Sequence, residues 1–144
     1  MSSFRNTDVL IIGSGLSGLS TALMLPDNLK ITLVTKTSLN ECSTSWAQGG
    51  IASVLSKDDK FDIHIKDTLV NGHNLNDRSV VEKIIKNGPS MINWLMDQKI
   101  KFSNKNREFD LTLEGGHSKR RIVHAKDQTG KIIHNNLDKM VRNK

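Results

Sequence analysis

The 144-residue chain is 36% hydrophobic and 25% charged; this suits one folded core and excludes a disordered chain. Its net charge of +6 comes from fifteen Lys against six Arg, spread along the chain among thirteen Asn. The only dense cluster, Lys119, Arg120 and Arg121, has no interleaved aromatic residues to stack bases, which argues against nucleic-acid binding. A single cysteine, Cys42, excludes an intramolecular disulfide framework and fits a reducing, cytoplasmic compartment.

Residues Asp8 to Ile12 read as a buried strand, because Val9 to Ile12 form an unbroken apolar run that stops at Gly13. From Leu16 to Leu25 the apolar residues fall at helical spacing, and Pro26-Asp27-Asn28 supplies the stop. Ile31 to Val34 form a second, β-branched strand. The stretch Val9 to Leu25 is not a signal-peptide core, since three glycines and three serines interrupt it and Asp8 precedes it. No segment approaches the roughly 20 apolar residues of a membrane span.

A polar loop is expected at Thr37 to Ser45, then a short apolar segment from Ile51 to Leu55. A helix near Phe61 to Val70 ends at Gly72, and a second starts at Asp77, carries Val80, Val81, Ile84 and Ile85, and breaks at Gly88-Pro89. A third helix is expected from Ser90 to Gln98 with Met91, Trp94 and Leu95 on one face. Ser103 to Arg107 reads as a loop, and Phe109, Leu111 and Leu113 alternate like a strand. A last helix spans Thr129 to Val141.

Strand, glycine turn, helix and strand make a parallel βαβ unit, and its two strands should belong to a larger sheet. Gly13-Ser14-Gly15-Leu16-Ser17-Gly18 is a G-x-G-x-x-G sequence in that turn. The first glycine permits the tight turn, the second lets a pyrophosphate approach the backbone, and the third lets helix and strand pack closely. The helix amino terminus then offers N–H groups to the phosphates. A glycine turn without a ligand is the plain alternative. Thr35-Lys36 stands where an acidic residue usually binds a ribose hydroxyl, which weakens a simple NAD-dehydrogenase reading.

Two further blocks carry information. Ser43-Thr44-Ser45-Trp46-Ala47-Gln48-Gly49-Gly50-Ile51-Ala52 offers small residues and paired glycines on which a backbone can wrap a planar ring, though a surface turn has the same composition. The second block is Leu113-Glu114-Gly115-Gly116-His117-Ser118, followed by Arg120-Arg121-Ile122-Val123-His124-Ala125, Asp127 and Thr129-Gly130. On residue type alone, Gly115-Gly116 only turns the chain, Glu114 is a solvated carboxylate, and His117 and His124 are satisfied polar residues as readily as functional ones. The five histidines and one cysteine show no zinc-type spacing, so no metal is expected.

Taken together, the glycine motif and these blocks resemble the L-aspartate oxidase family of the succinate dehydrogenase/fumarate reductase flavoprotein superfamily. The resemblance runs along essentially the whole chain and includes Asp67-Thr68-Leu69 and Trp94-Leu95. It implies an α/β fold: a Rossmann-like FAD-binding domain, incomplete, with an amino-terminal parallel βαβ unit. Residues 1–144 would be the amino-terminal part of that domain, with the family's capping and carboxy-terminal domains absent. Cofactor-binding positions carried over are Gly13, Ser14, Gly15, Leu16, Ser17, Gly18, Lys36, Ser43, Thr44, Ser45, Trp46, Ala47, Gln48, Gly49 and Gly50. Ser43 occupies the place of the histidine that attaches FAD covalently in the dehydrogenase and fumarate reductase branch, so the resemblance implies non-covalent FAD.

Glu114 matches a position that orients the substrate; the principal catalytic residues of the family lie beyond these residues. The activity implied is FAD-dependent oxidation of L-aspartate to iminoaspartate with oxygen or fumarate as acceptor. That reaction is the first step of de novo NAD biosynthesis on the quinolinate branch, with handover to quinolinate synthase. The 144 residues alone are expected to be inactive. The alternatives are a fumarate reductase or succinate dehydrogenase-like flavoprotein, or an inactive nucleotide-binding fragment.

Overall fold

A computed structural model describes residues 4, 6–73 and 75–144. The chain forms two compact units, one from residues 1–48 with 130–144 and one from residues 49–129.

In the first unit, β1 (Val9–Ile12) and β2 (Ile31–Val34) pair in parallel, with Val9 opposite Ile31 and Ile12 opposite Val34. Between them runs α1 (Leu16–Met24), which buries Leu19 and Ala22. The parallel βαβ unit expected from the apolar runs is therefore present. Among the described residues its sheet has two strands. One expectation about it needs correction: the strands are not buried throughout, since Ile11 is buried, whereas Leu10 and Ile12 are exposed. Successive side chains of a strand point to opposite faces, and α1 packs against these two strands.

The loop expected at Thr37 to Ser45 contains the start of a one-turn helix, α2 (Ser43–Trp46). Its turn closes locally, because the Ser45 amide donates to the Cys42 carbonyl and the Ala47 amide to the Ser43 carbonyl. The unit ends in α5, a helix over Thr129–Arg142 that buries Ile133, His134 and Leu137.

In the second unit, β3 (Ile51–Ala52), β6 (Leu111–Thr112) and β7 (Ile122–Val123) form an antiparallel sheet ordered β3-β7-β6. Helix α3 (Phe61–Asn71) packs on α4 (Arg78–Asp97) through Ile65, Val81 and Ile85, flanked by Phe61 and Leu69. Asp77 caps α4 by accepting the Ser79 and Val80 amides.

The break expected at Gly88-Pro89 does not occur, since α4 runs through Pro89. Its face is continuous: Val81, Ile85, Ile92 and Leu95 are all buried, and burying that stripe outweighs the one amide that proline lacks. Val80, Ile84 and Met91, which sequence spacing also offered to the core, are exposed.

The loop expected at Ser103 to Arg107 is a hairpin of β4 (Asn104–Lys105) and β5 (Glu108–Phe109). Asn106 and Arg107 turn it with φ of 54° and 68°, as a primed two-residue turn requires. The single strand expected through Leu113 is divided between β5 and β6 at Asp110, whose amide donates to the Ser103 carbonyl in the register of the β4–β5 hairpin.

Candidate functional site

The glycine turn joins β1 to α1. The Gly13 amide donates to the Val34 carbonyl at 2.8 Å, and Gly13 has φ +117°, a conformation open to glycine and strained for other residues. A Cβ on Gly18 would lie 2.0 Å from the Gly13 carbonyl oxygen and 3.4 Å from Ile11, so helix and strand approach as closely as the motif implies. A Cβ on Gly15 meets only Thr44 Oγ1, at 3.5 Å. The α1 amino terminus has no acidic residue in its first turn, and its Leu16 amide donates to Thr44 Oγ1 at 3.0 Å. Having accepted that bond, the Thr44 hydroxyl keeps a proton to donate.

This arrangement fits the diphosphate of a dinucleotide: an open backbone approach at Gly15, the positive end of a helix dipole, and a hydroxyl beside both. Ser17 lies in the first turn of α1, with its carbonyl accepting from Thr21 Oγ1 at 2.8 Å. Lys36 is exposed two residues beyond β2. In the block Ser43 to Ala52, Ser43 opens α2 and is exposed, Ser45 Oγ sits 3.5 Å from Cys42 Sγ, and Trp46 is 75% exposed. The Ala47 carbonyl accepts the Gly130 amide at 3.1 Å, and Gln48 is exposed.

In the second unit, Gly49 and Glu114 are neighbours. A Cβ on Gly49 would lie 3.6 and 3.7 Å from the two carboxylate oxygens of Glu114. Gly50 lies hard against β7, where a Cβ would stand 2.3 Å from the Val123 carbonyl oxygen. Residues far apart in the sequence thus place a carboxylate beside the glycine pair.

The loop carrying Glu114 is anchored by groups that residue patterns alone do not reveal. Asp67 and Asn71 lie one turn apart on α3 and face the same way. The Asn71 amide donates to the Gly116 carbonyl at 2.8 Å, while the Asp67 carboxylate accepts from the Ser118 amide and hydroxyl at 2.9 and 2.8 Å. Arg121 is fully buried, forms a two-pronged pair with Asp59 at 2.8 and 2.9 Å, and reaches Asp67 at 2.8 Å. The sequence marks Asp67 only through the resemblance, and Arg121 only as a member of a basic cluster and of the block that follows Ser118. The available signal was an arginine in an apolar run, Arg121-Ile122-Val123, whose alternation puts it inside.

Two histidines border this cluster. His64 is buried, edge-on to His117 with ring centroids 5.4 Å apart, and His117 Nδ1 is 3.4 Å from Arg121 Nη1. Burial first, then the charge of Arg121, pushes the His64 imidazole down from 6.5 to about 4. Burial alone would raise the Asp67 carboxyl, but hydrogen bonds from Ser118 and the Arg121 guanidinium outweigh it and hold the group below the usual carboxylate range. His124 stands 3.7 Å from Asp110 and is not among these groups.

Comparison with known proteins bears on these residues. The model of the FAD binding domain family matches residues 8–143. An L-aspartate oxidase of Yersinia pestis is 46% identical over 141 residues, covering 94% of this chain and 26% of that protein. L-aspartate oxidase 2 of Ralstonia nicotianae is 45% identical over 126 residues, covering 88% of this chain and 24% of that protein. Among solved structures, a variant of Escherichia coli quinol fumarate reductase superposes with a TM-score of 0.92 at 27% identity, covering 99% of this chain and 25% of that one. The chain therefore spans about a quarter of the length of the relatives it matches. With the match running from β1 through α5 and the glycine turn shaped for a diphosphate, the chain belongs to the FAD binding domain family, with FAD as its cofactor.

Proposed function

We propose that this chain is the amino-terminal, FAD-binding part of an L-aspartate oxidase. It would serve oxidation of L-aspartate to iminoaspartate, with oxygen or fumarate as electron acceptor, at the first step of de novo NAD biosynthesis. The observation that carries this reading is the 45–46% identity with L-aspartate oxidases, against 27% with the fumarate reductase of similar fold.

The residues fit the roles required. The Gly13–Gly18 turn and the α1 amino terminus would hold the diphosphate, with the Thr44 hydroxyl as a further donor. FAD, when bound, supplies the hydride-accepting chemistry. Glu114, exposed beside Gly49, would accept hydrogen bonds from the substrate ammonium and orient the α-carbon. Asp67, Asn71 and Arg121 keep its loop in place. Among the described residues no helix is long and apolar enough to cross a membrane. We place the enzyme in the cytoplasm, where Cys42 stays reduced and iminoaspartate passes to quinolinate synthase.

The test is peroxide production from L-aspartate with added FAD. It compares the 144 residues, a chain extended to the length of the relatives, and an extended Glu114→Ala variant. Turnover is expected only in the extended chain, because effective molarity equivalent to about 7–11 kcal/mol depends on a fully formed, water-restricted site. Glu114→Ala should raise KM for L-aspartate; unchanged kinetics would remove Glu114 from the substrate site. An extended chain that oxidises succinate but not L-aspartate would establish the fumarate reductase-like reading, whose fold this chain shares.

A further inference from the structure

His134 lies on α5, in the same compact unit as the glycine turn, and only 1% of it is exposed. Its Nε2 is 3.0 Å from the Ser14 carbonyl oxygen. A carbonyl can only accept, so Nε2 carries the proton and the ring is the Nε2–H tautomer. Nδ1 is then a bare acceptor, and it is buried with no hydrogen-bond partner among the described residues. A histidine held at that cost to one nitrogen makes the bond of the other its main polar interaction.

The consequence lies on the opposite edge of the peptide. The Ser14–Gly15 bond is trans, so the carbonyl and the following N–H point in opposite directions. With the Ser14 carbonyl turned toward His134, the Gly15 N–H is directed away from α5. Ser14 is immobilised through its side chain as well, its hydroxyl donating to the Leu39 carbonyl at 2.8 Å. Rotation of this peptide is otherwise cheap, because Gly15 has no Cβ to resist it. A rotated peptide would present an oxygen lone pair, where a phosphate needs a donor.

We propose that His134 is a positioning residue for the cofactor diphosphate: by holding the Ser14 carbonyl it fixes the peptide plane that aims the Gly15 N–H at a phosphate oxygen. This rests on the FAD reading of the family. Neither the glycine motif nor the two other blocks includes His134, which sequence spacing places only within a terminal helix.

The test titrates FAD, followed by flavin fluorescence, into the 144-residue chain and its His134→Leu and His134→Gln variants, with a thermal melt of each. In parallel, long-range nitrogen–proton NMR on the unliganded chain reads the His134 tautomer. His134→Leu should weaken FAD binding about tenfold, the effect of a buried carbonyl losing its donor. His134→Gln, which restores an N–H donor, should recover most of that loss, and the wild-type ring should be protonated at Nε2. Unchanged FAD affinity in His134→Leu would overturn the proposal, as would equal losses in both variants or a proton on Nδ1. If the 144 residues take up no FAD, the same titration is made in chains extended to the length of the relatives, where no FAD uptake would overturn the cofactor reading and unchanged affinity in His134→Leu would overturn the His134 proposal.

Discussion

Arg121 is the residue on which the second unit depends most directly. Its side chain and that of Asp59 are both fully buried, so the pair exists only because each charge satisfies the other. Asp59→Asn leaves the guanidinium with Asp67 as its remaining anionic partner, and an expected loss of about 3 kcal/mol follows, near the lower end for breaking a buried pair. Urea denaturation measures it. The double variant Asp59→Leu with Arg121→Met should recover part of the loss, since apolar replacements remove both buried charges together. At Ser43 the prediction is chemical. Ser43 opens α2, and on the resemblance that sets it in the place of an attachment histidine, FAD bound to the protein should leave it on denaturation. Flavin fluorescence that migrates with the denatured polypeptide would contradict this.

At the scale of elements, α4 shows how packing overrides a local stop signal. Pro89 sits inside a 20-residue helix, where it removes one amide hydrogen bond. Since the buried stripe Val81, Ile85, Ile92 and Leu95 already holds the helix together, Pro89→Ala should raise stability, by about 1–3 kcal/mol, and increase helical circular dichroism. Lower stability in that variant would mean that the packing around α4 requires the proline ring at this position. The cap at Asp77, the stop at Gly72 and the two parallel strands were readable beforehand because each depends on residues within one turn or one short run. The β4–β5 hairpin was not readable, because its turn uses Asn106 and Arg107 at positive φ, without the glycine that marks such turns.

For the molecule as a whole, acid should act first through the second unit. The folded chain keeps His64 neutral down to about pH 4, whereas an unfolded imidazole takes a proton near 6.5. The stability His64 contributes is therefore complete above about pH 6.5 and is lost as pH falls from there toward 4. Arg121, His117, Asp59 and Asp67 all act on this imidazole, the first two opposing its protonation and the carboxylates favouring it. Asp67, held below the usual range, contributes stability that is present above its unfolded value and declines at still lower pH. Melting temperatures across pH 8 to 4 should fall below 6.5, and His64→Gln should flatten that decline. An equal slope in the variant would assign the acid sensitivity to other groups.

The amino-acid sequence by itself determined the βαβ unit and its glycine turn, since strand run, helical spacing and turn residues are contiguous and their chemistry is local. It also determined the family, through blocks of residues that lie within short windows. Only the tertiary structure decided which charges are buried and which loops they hold. Asp59, Asp67, Asn71 and Ser118 meet around Arg121 and Gly116 across separations as large as 62 residues, and His134 meets Ser14 across 120. Residue type cannot distinguish a solvated Lys-Arg-Arg cluster from one whose last arginine is buried, because the desolvation that makes Arg121 need two carboxylates arises only when β7 is packed between β3 and β6.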